Sequence, residues 1–369
     1  MNNEEHLIDV DTLQRMMDGS ENVFVLDIRP RSQREEWKIP GSHYLDAYQR
    51  TRDGDYSVFD QISFPENSRV VVVCAAGRTS QIAAKELRAK GIDAWSLIGG
   101  MKSWSLAWNL SRMKFRNFDL LQVRRTGKGC LSYIIYSNKE AAIIDASLPV
   151  KIYKELVEQF NLSVKYILET HIHADHLSRS KELADLFNAP LFLPVPNKVH
   201  FPFQPVTGDS SFILGDIELK TISTPGHTIE SVCYYVEGKI IFTGDTLFTN
   251  GVGRPDLKSN DKETHEKSNL LYHSIEKIVS FPDRVLILPA HTNKPVDFDG
   301  TLISASIDEV KKNIPLLKRR ESEFVDMLIR NIPLPPPNYL TIVEKNLSGE
   351  YETADAAELE AGANRCAIS

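Results

Sequence analysis

The sequence predicts a two-part protein, an α/β unit with a parallel sheet followed by an α+β unit rich in strands. The first third alternates short apolar runs with helical patterns, as strand–helix–strand units do. Beyond residue 118 the pattern turns to paired β runs separated by turn residues. The chain has 369 residues, 42% hydrophobic and 25% charged, which is globular composition at a length suited to two or three domains.

In the first unit, residues 23–28 and 70–74 read as strands, the second fully buried. Residues 79–90 read as a helix, with Ile82, Ala83 and Leu87 on one face and Gly91 as its stop. A third strand is expected over 94–98, before the Gly99-Gly100 turn. Residues 104–117 show no clean period, and the boundary is placed there, giving a first domain of 1–111.

In the second unit, 131–136 and 141–144 read as a hairpin around Ser137-Asn138-Lys139. A helix over 152–160 precedes a strand over 164–168 that runs into a histidine cluster. Residues 181–187 read as a helix, and 212–224 and 231–242 as β-rich with a turn at Glu237-Gly238. Helices are expected over 270–278, 304–312 and 322–329, with a strand over 285–288. Pro333, Pro335, Pro336 and Pro337 close the last helix, and the second domain is set at 112–345. Residues 346–369 are acidic and rich in Ala and Gly, a composition that suits a mobile tail.

Charge and composition exclude several classes. Lys and Arg number 43 against 50 Asp and Glu, a net charge of −7, so no nucleic-acid partner is expected. No apolar run approaches membrane-spanning length, so no membrane partner is expected. The start, MNNEEHLIDV, lacks the basic and apolar regions of a signal peptide. Four cysteines in so long a chain make no disulfide framework, and the cytoplasm is the expected compartment.

The strongest motif is His171-Ile172-His173-Ala174-Asp175-His176, directly after a predicted strand. Alternate side chains at a strand end point together, and the following turn can bring Asp175 and His176 to the same place. Imidazole and carboxylate are ligand types for zinc and iron. Pro225-Gly226-His227, Gly244-Asp245 and Pro289-Ala290-His291 add further ligand types at turns or strand ends. His6, His43, His200, His265 and His273 show no such placement and read as unrelated to the cluster.

HIHADH, PGH, TGDTLF and PAH in this order resemble the metallo-β-lactamase family over residues 118–345. THIHADH, STPGHT, FTGDTLFTNGVGRPD, LYHSIEKI and NIPLPPP are similar to its persulfide dioxygenase (sulfur dioxygenase) branch. The resemblance implies an αββα sandwich with one Fe(II) per chain held by His171, His227 and Asp245. It places His173, Asp175, His176 and His291 around those ligands, where hydrolytic relatives complete a two-metal zinc site. It puts Arg254 on the carboxylate of the thiol substrate, and Asn293 where the family carries a substrate-side tyrosine. Ser178-Arg179 replaces a common glycine after the cluster. The implied reaction converts a thiol persulfide, such as glutathione persulfide, and O2 to sulfite and thiol. The alternative is a dinuclear-zinc thioester hydrolase of the glyoxalase II type. A homodimer is also implied. The ending LEAGANRCA resembles the closing segment of the same branch, against a wholly mobile tail.

In the first unit, Cys74-Ala75-Ala76-Gly77-Arg78-Thr79-Ser80 lies between a buried strand and a helix. A thiol at a helix N-terminus meets unpaired N–H groups and the positive end of the dipole, which favour thiolate. Gly77 lets the backbone fold around the sulfur, and Arg78 adds positive charge. LDIRPRSQREEWKIPGSHYL, VVVVCAAGRTS and AWSLIGGMKSW resemble a rhodanese domain over residues 5–110. That implies sulfur transfer through Cys74 with thiosulfate or sulfite as partner, although the loop arginine stands one position early. Asp27 and Arg29 match a stretch that supports the rhodanese fold. Cys130 and Cys233 sit in apolar β runs and read as small core residues.

Overall fold

The computed structural model describes residues 6–19, 21–194, 199–350, 356–360 and 364–368. Its first unit is a five-stranded parallel sheet, in the order Leu7–Ile8, Ala94–Leu97, Arg69–Val73, Val23–Asp27, His43–Tyr44. Arg69–Val73 is central, which is why its apolar run is unbroken rather than alternating. Val70 and Val72 face one core with Leu26, Ala83 and Leu87, and Val71 and Val73 face another with Leu13 and Trp104. Asp27 and Arg29 form a buried ion pair at 2.7 Å, with Arg29 also donating to the Trp37 carbonyl, so the pair fixes the loop after the strand.

The second unit is two facing sheets flanked by helices, the αββα arrangement. One sheet has seven strands, in the order Gln204–Pro205, Leu191–Leu193, Ser163–Leu168, Glu140–Ile144, Cys130–Ser137, Asp119–Arg125, Asn109–Lys114. The other has six, in the order Ser211–Leu214, Ile217–Ser223, Val232–Val236, Ile240–Gly244, Leu286–Pro289, Ala305–Ser306. Strand periodicity explains how a wholly buried strand serves two layers. Leu131, Tyr133 and Ile135 meet Leu219, Tyr234 and Phe242 between the sheets. Ile134 and Tyr136 face outward onto Tyr153, Leu156 and Leu183 of the helices. The hairpin turn at Asn138 and Lys139 has positive φ at both residues (50° and 70°), the geometry a two-residue hairpin needs.

Three differences from the sequence reading bear on the second unit and its site. The stretch without a clean period contains Asn109–Lys114, a partly exposed edge strand antiparallel to Asp119–Arg125. One side faces solvent, so no apolar rhythm marks it. The helix expected over 270–278 begins at Asp261, because a capping box between Asn260 and Glu263 starts it through two polar turns that carry no apolar period. The closing segment is built into the fold. Ala367–Ile368 pairs antiparallel with Val252–Gly253, beside the histidine cluster. Gly362 and Ala363 of that segment lie outside the described residues. No helix among the described residues is long and apolar enough to cross a membrane.

Candidate metal centre

The ends of several strands meet at one edge of the sandwich. His171 follows Ser163–Leu168, Asp245 follows Ile240–Gly244, and His291 follows Leu286–Pro289. His227 sits between Ile217–Ser223 and Val232–Val236, in a turn that needs glycine. Gly226 has φ +146°, and a Cβ there would lie 2.4 Å from the Leu271 backbone.

His171, His227 and Asp245 offer three ligand atoms within 4.8 Å of one another, all buried. Asp245 Oδ2 lies 3.8 Å from His171 Nε2 and 3.6 Å from His227 Nε2. His171 Nε2 and Asp245 Oδ2 are buried with no hydrogen-bond partner. Such orphaned groups are costly without a ligand, and a divalent cation satisfies them together. Both histidines are held in the tautomer that ligation needs. His227 Nδ1–H donates to the Arg254 carbonyl at 2.7 Å, leaving Nε2 with a lone pair. Thr170 Oγ1 donates to Asp145 Oδ2 (2.9 Å) and accepts from His171 Nδ1–H (2.9 Å). Burial keeps both imidazoles neutral by lowering their pKa, with the neighbouring His173 adding to the effect at His171. Burial opposes the Asp245 charge, yet His291, His171 and His227 hold its carboxyl well below the usual range. These residues therefore fit a metal.

His173 stands outside this trio. Its Nε2 meets Glu169 Oε2 at 2.9 Å and Asp145 Oδ1 at 3.3 Å. Burial opposes a charge there, but the Glu169 and Asp145 carboxylates raise its pKa well above the ordinary value. Asp145 carries this load from a left-handed backbone, φ 54°, unusual for a non-glycine residue.

A second cluster joins Cys130, Asp175, His176 and His291. His291 bridges two carboxylates, with Nδ1 2.6 Å from Asp245 Oδ1 and Nε2 2.8 Å from Asp175 Oδ2. Against its burial, both carboxylates raise its pKa well above the ordinary value. The core role read for Cys130 is corrected here. The side chain starts Cys130–Ser137 and lies 3.5 Å from Asp175 Oδ2. Burial and Asp175 oppose its thiolate, but His176 and His291 bring the thiol down to about 6. Cys366 of the closing segment likewise joins Asp245 and His291.

Arg254 also requires correction. Its side chain is fully buried, and all five N–H donors are taken. Nε and Nη2 grip Asp256 at 2.8 Å each, Nη1 donates to the Leu334 and Arg365 carbonyls, and Nη2 also donates to the Pro333 carbonyl. No donor remains for a substrate carboxylate. Arg254 instead ties the proline-rich loop and the closing segment to the turn that orients His227. Asn293 is exposed, accepts from Asn250 at 3.1 Å, and lies in a cleft facing Arg31, Arg34 and Tyr44 of the first unit. It does not line the cavity that reaches His227.

Sequence reasoning missed Asp145, Glu169 and Thr170. Asp145 ends the apolar run at 141–144, the same strand-end signal that marks Asp245, and Glu169-Thr170 immediately precede the histidine motif. It also missed Glu360, which is buried 2.6 Å from Arg125 and 3.5 Å from Arg179 and accepts from the Leu177 N–H.

In the first unit Cys74 is buried at the end of Arg69–Val73, beneath the helix Arg78–Ala89. Its Sγ accepts from the Ser80 N–H at 3.4 Å, and Ser80 Oγ lies 3.3 Å away. Gly77 caps that helix with φ +78°, and a Cβ there would lie 2.7 Å from Gly99 N. The positive charge expected from Arg78 is not delivered to the sulfur. The side chain is exposed, and the group that contacts the sulfur is Ser80.

The metallo-beta-lactamase superfamily model matches residues 125–291, and the rhodanese-like domain model residues 9–107. A hydroxyacylglutathione hydrolase of Prochlorococcus marinus (strain MIT 9301) is 31% identical over 198 residues, covering 49% of this chain and 75% of the relative. The chain belongs to the metallo-beta-lactamase superfamily. Glyoxylase B2 of Dictyostelium discoideum is 35% identical over 179 residues, covering 42% of this chain and 59% of that protein. The crystal structure of ETHE1 from Myxococcus xanthus superposes with a TM-score of 0.54 at 27% identity, covering 64% of this chain and 99% of that chain. A rhodanese-like domain thus precedes a metallo-beta-lactamase sandwich, as the two motif sets predict.

Proposed function

We propose that this superfamily member is an iron-dependent persulfide dioxygenase, with a rhodanese domain that moves sulfane sulfur through Cys74. The overall reaction takes a thiol persulfide, O2 and water to sulfite and thiol. The observation that carries this reading is the grouping of His171, His227 and Asp245 as a two-histidine, one-carboxylate set, with His173 drawn onto Glu169 and Asp145 instead. Such a set is typical of non-haem Fe(II) oxygenases because it leaves coordination positions for both reactants. Iron, when bound, supplies a place where persulfide sulfur and O2 meet and exchange electrons.

The chain's own residues prepare that place. The Asp145–Thr170 link and the Arg254 carbonyl fix the two imidazoles. His291, with both ring nitrogens on carboxylates, holds Asp245 by one oxygen and leaves Oδ2 toward the histidines. Glu169 and Asp145 draw His173 away from the trio. In the first unit, the Ser80 N–H donates to the Cys74 sulfur and fixes its position at the helix start. The rhodanese-like domain gives the pairing a rationale, because persulfide is what Cys74 would carry and what the second site would consume.

A second reading is a dinuclear-zinc thioester hydrolase, and the Prochlorococcus relative is named a hydroxyacylglutathione hydrolase. The cluster of Cys130, Asp175, His176 and His291 favours it by offering ligands for a second metal. Anaerobic purification with metal analysis separates the two. One iron per chain and no thioesterase activity supports the dioxygenase. Two zinc ions with thioester hydrolysis overturns it.

A further inference from the structure

A residue of the first unit is buried in the seam behind the metal centre. Trp37 is 5% exposed, yet it belongs to neither of the first unit's two cores. Its backbone is fixed from its own side. The Trp37 carbonyl accepts from Arg29 Nη2 at 2.7 Å, and Asp27 holds Arg29. Ile28, between those two, donates its N–H to the Val73 carbonyl at 3.0 Å, at the end of the strand that leads to Cys74. The tip of the indole crosses to the second unit. A Cβ at Gly129 would lie 3.1 Å from Trp37 Cη2 and closer still to the Thr292 carbonyl, and φ there is +97°, so glycine alone leaves room for the ring. The indole Nε1 is buried with no hydrogen-bond partner, a cost that packing has to offset.

Beyond Gly129 the chain runs straight into the site. The Thr292 N–H donates to the Gly129 carbonyl at 2.9 Å, and the Leu131 N–H to the Ala290 carbonyl at 2.7 Å. These bonds frame a short antiparallel bridge that pairs Cys130 with His291. His291 in turn holds Asp245 by one oxygen. The neighbouring Glu36 ion-pairs with Arg365, next to Cys366, which lies beside Asp245 and His291. Residues 36 and 37 of the first unit therefore brace two segments that carry groups of the metal centre.

We propose that Trp37 is a positioning residue for the metal centre of the other unit. By packing on Gly129 it fixes the bridge between 129–131 and 290–292, and through His291 it sets the Asp245 ligand. The inference goes beyond the proposed function and holds whether the centre oxidises or hydrolyses. Its physical basis is that a close-packed interior passes a displacement on instead of absorbing it. Gly129 has no side chain to yield, and the two backbone bonds behind it leave His291 no independent position. The first unit is thus part of the frame of the metal site as well as the carrier of Cys74.

The test uses the full chain loaded with iron(II) or, separately, cobalt(II). Iron affinity is read by competition with a chelator, and ligand geometry by the d–d absorption bands of the cobalt form. Trp37→Ala should bind iron roughly tenfold more weakly, the lower end of what contacts behind metal ligands contribute, and should shift the cobalt bands. Trp37→Phe, whose ring ends short of Gly129, should fall between wild type and Trp37→Ala. Leu13→Ala, which opens a cavity in the first unit's own core, should lower Tm and leave both readouts unchanged. A residue that merely stabilises the first unit would behave as Leu13 does. Wild-type bands and wild-type iron affinity in Trp37→Ala, or the same band shift in Leu13→Ala, overturns the proposal. If Trp37→Ala does not fold, Trp37→Phe decides alone, and a wild-type spectrum there overturns it.

Discussion

Replacing Arg254 with alanine separates two accounts of this residue. Were it a substrate contact, the variant would bind substrate poorly and fold normally. The structure predicts the reverse. Alanine removes two charge-assisted bonds to Asp256 and strips partners from the carbonyls of Pro333, Leu334 and Arg365. Asp256 keeps partial access to water, with its side chain 22% exposed, so its share is moderate. At about 1 kcal/mol for each carbonyl bond and rather more for the ion pair, the loss totals about 4 to 5 kcal/mol. In a domain of this size that lowers Tm by about 10 °C or more. The assay is thermal denaturation of the metal-loaded protein, with iron content measured alongside. Arg254→Lys should restore little, because a point charge cannot span Asp256 and three carbonyls. A variant with wild-type Tm and iron content but a raised KM refutes the reasoning and returns Arg254 to the substrate.

The C-terminal latch should be acid-labile. Burial alone would raise the Glu360 carboxyl, but Arg125 and Arg179 hold it below its ordinary 4.5. Its contribution is therefore complete above that pH and lost as pH falls through the lower folded value. Glu360→Gln should cost about 3 kcal/mol near neutrality and flatten that acid loss, which denaturation at stepped pH would show. Alanine at His171, His227 or Asp245 should abolish iron retention, whereas His173→Ala should keep part of it; stoichiometric iron in any of the first three contradicts the ligand set. Cys74→Ser should end sulfur transfer from thiosulfate while leaving oxidation of supplied thiol persulfide largely intact, and parallel loss of both would mean that sulfur reaches the second site through Cys74.

The sequence made the scaffold legible wherever burial imposes a period. The valine run at 70–73 announces a central parallel strand, and the hairpin at Asn138 is written in its turn residues. The ligand types at strand ends were legible because metal chemistry demands unusual residues at particular places. Less visible were contacts made across long separations. Nothing local in GVGRPD tells whether an arginine will face a cavity or be consumed by Pro333, Leu334 and Arg365. Glu360 lies in an acidic, Ala-rich stretch whose composition suggests solvent, and only three-dimensional closure brings Arg125 and Arg179 to it. Cys130 looked apolar because its neighbours are, although its strand begins at the site.

The central claim, that this site oxidises a persulfide rather than hydrolysing a thioester, is tested most directly by stoichiometry. Iron-loaded protein is mixed with glutathione persulfide in a sealed oxygen-electrode cell, and O2, sulfite and thiol are measured together. The account predicts equal amounts of O2 consumed, sulfite formed and thiol released, with all three lost in Asp245→Ala. Persulfide left intact with no O2 uptake, while the zinc-loaded protein cleaves S-lactoylglutathione, contradicts it.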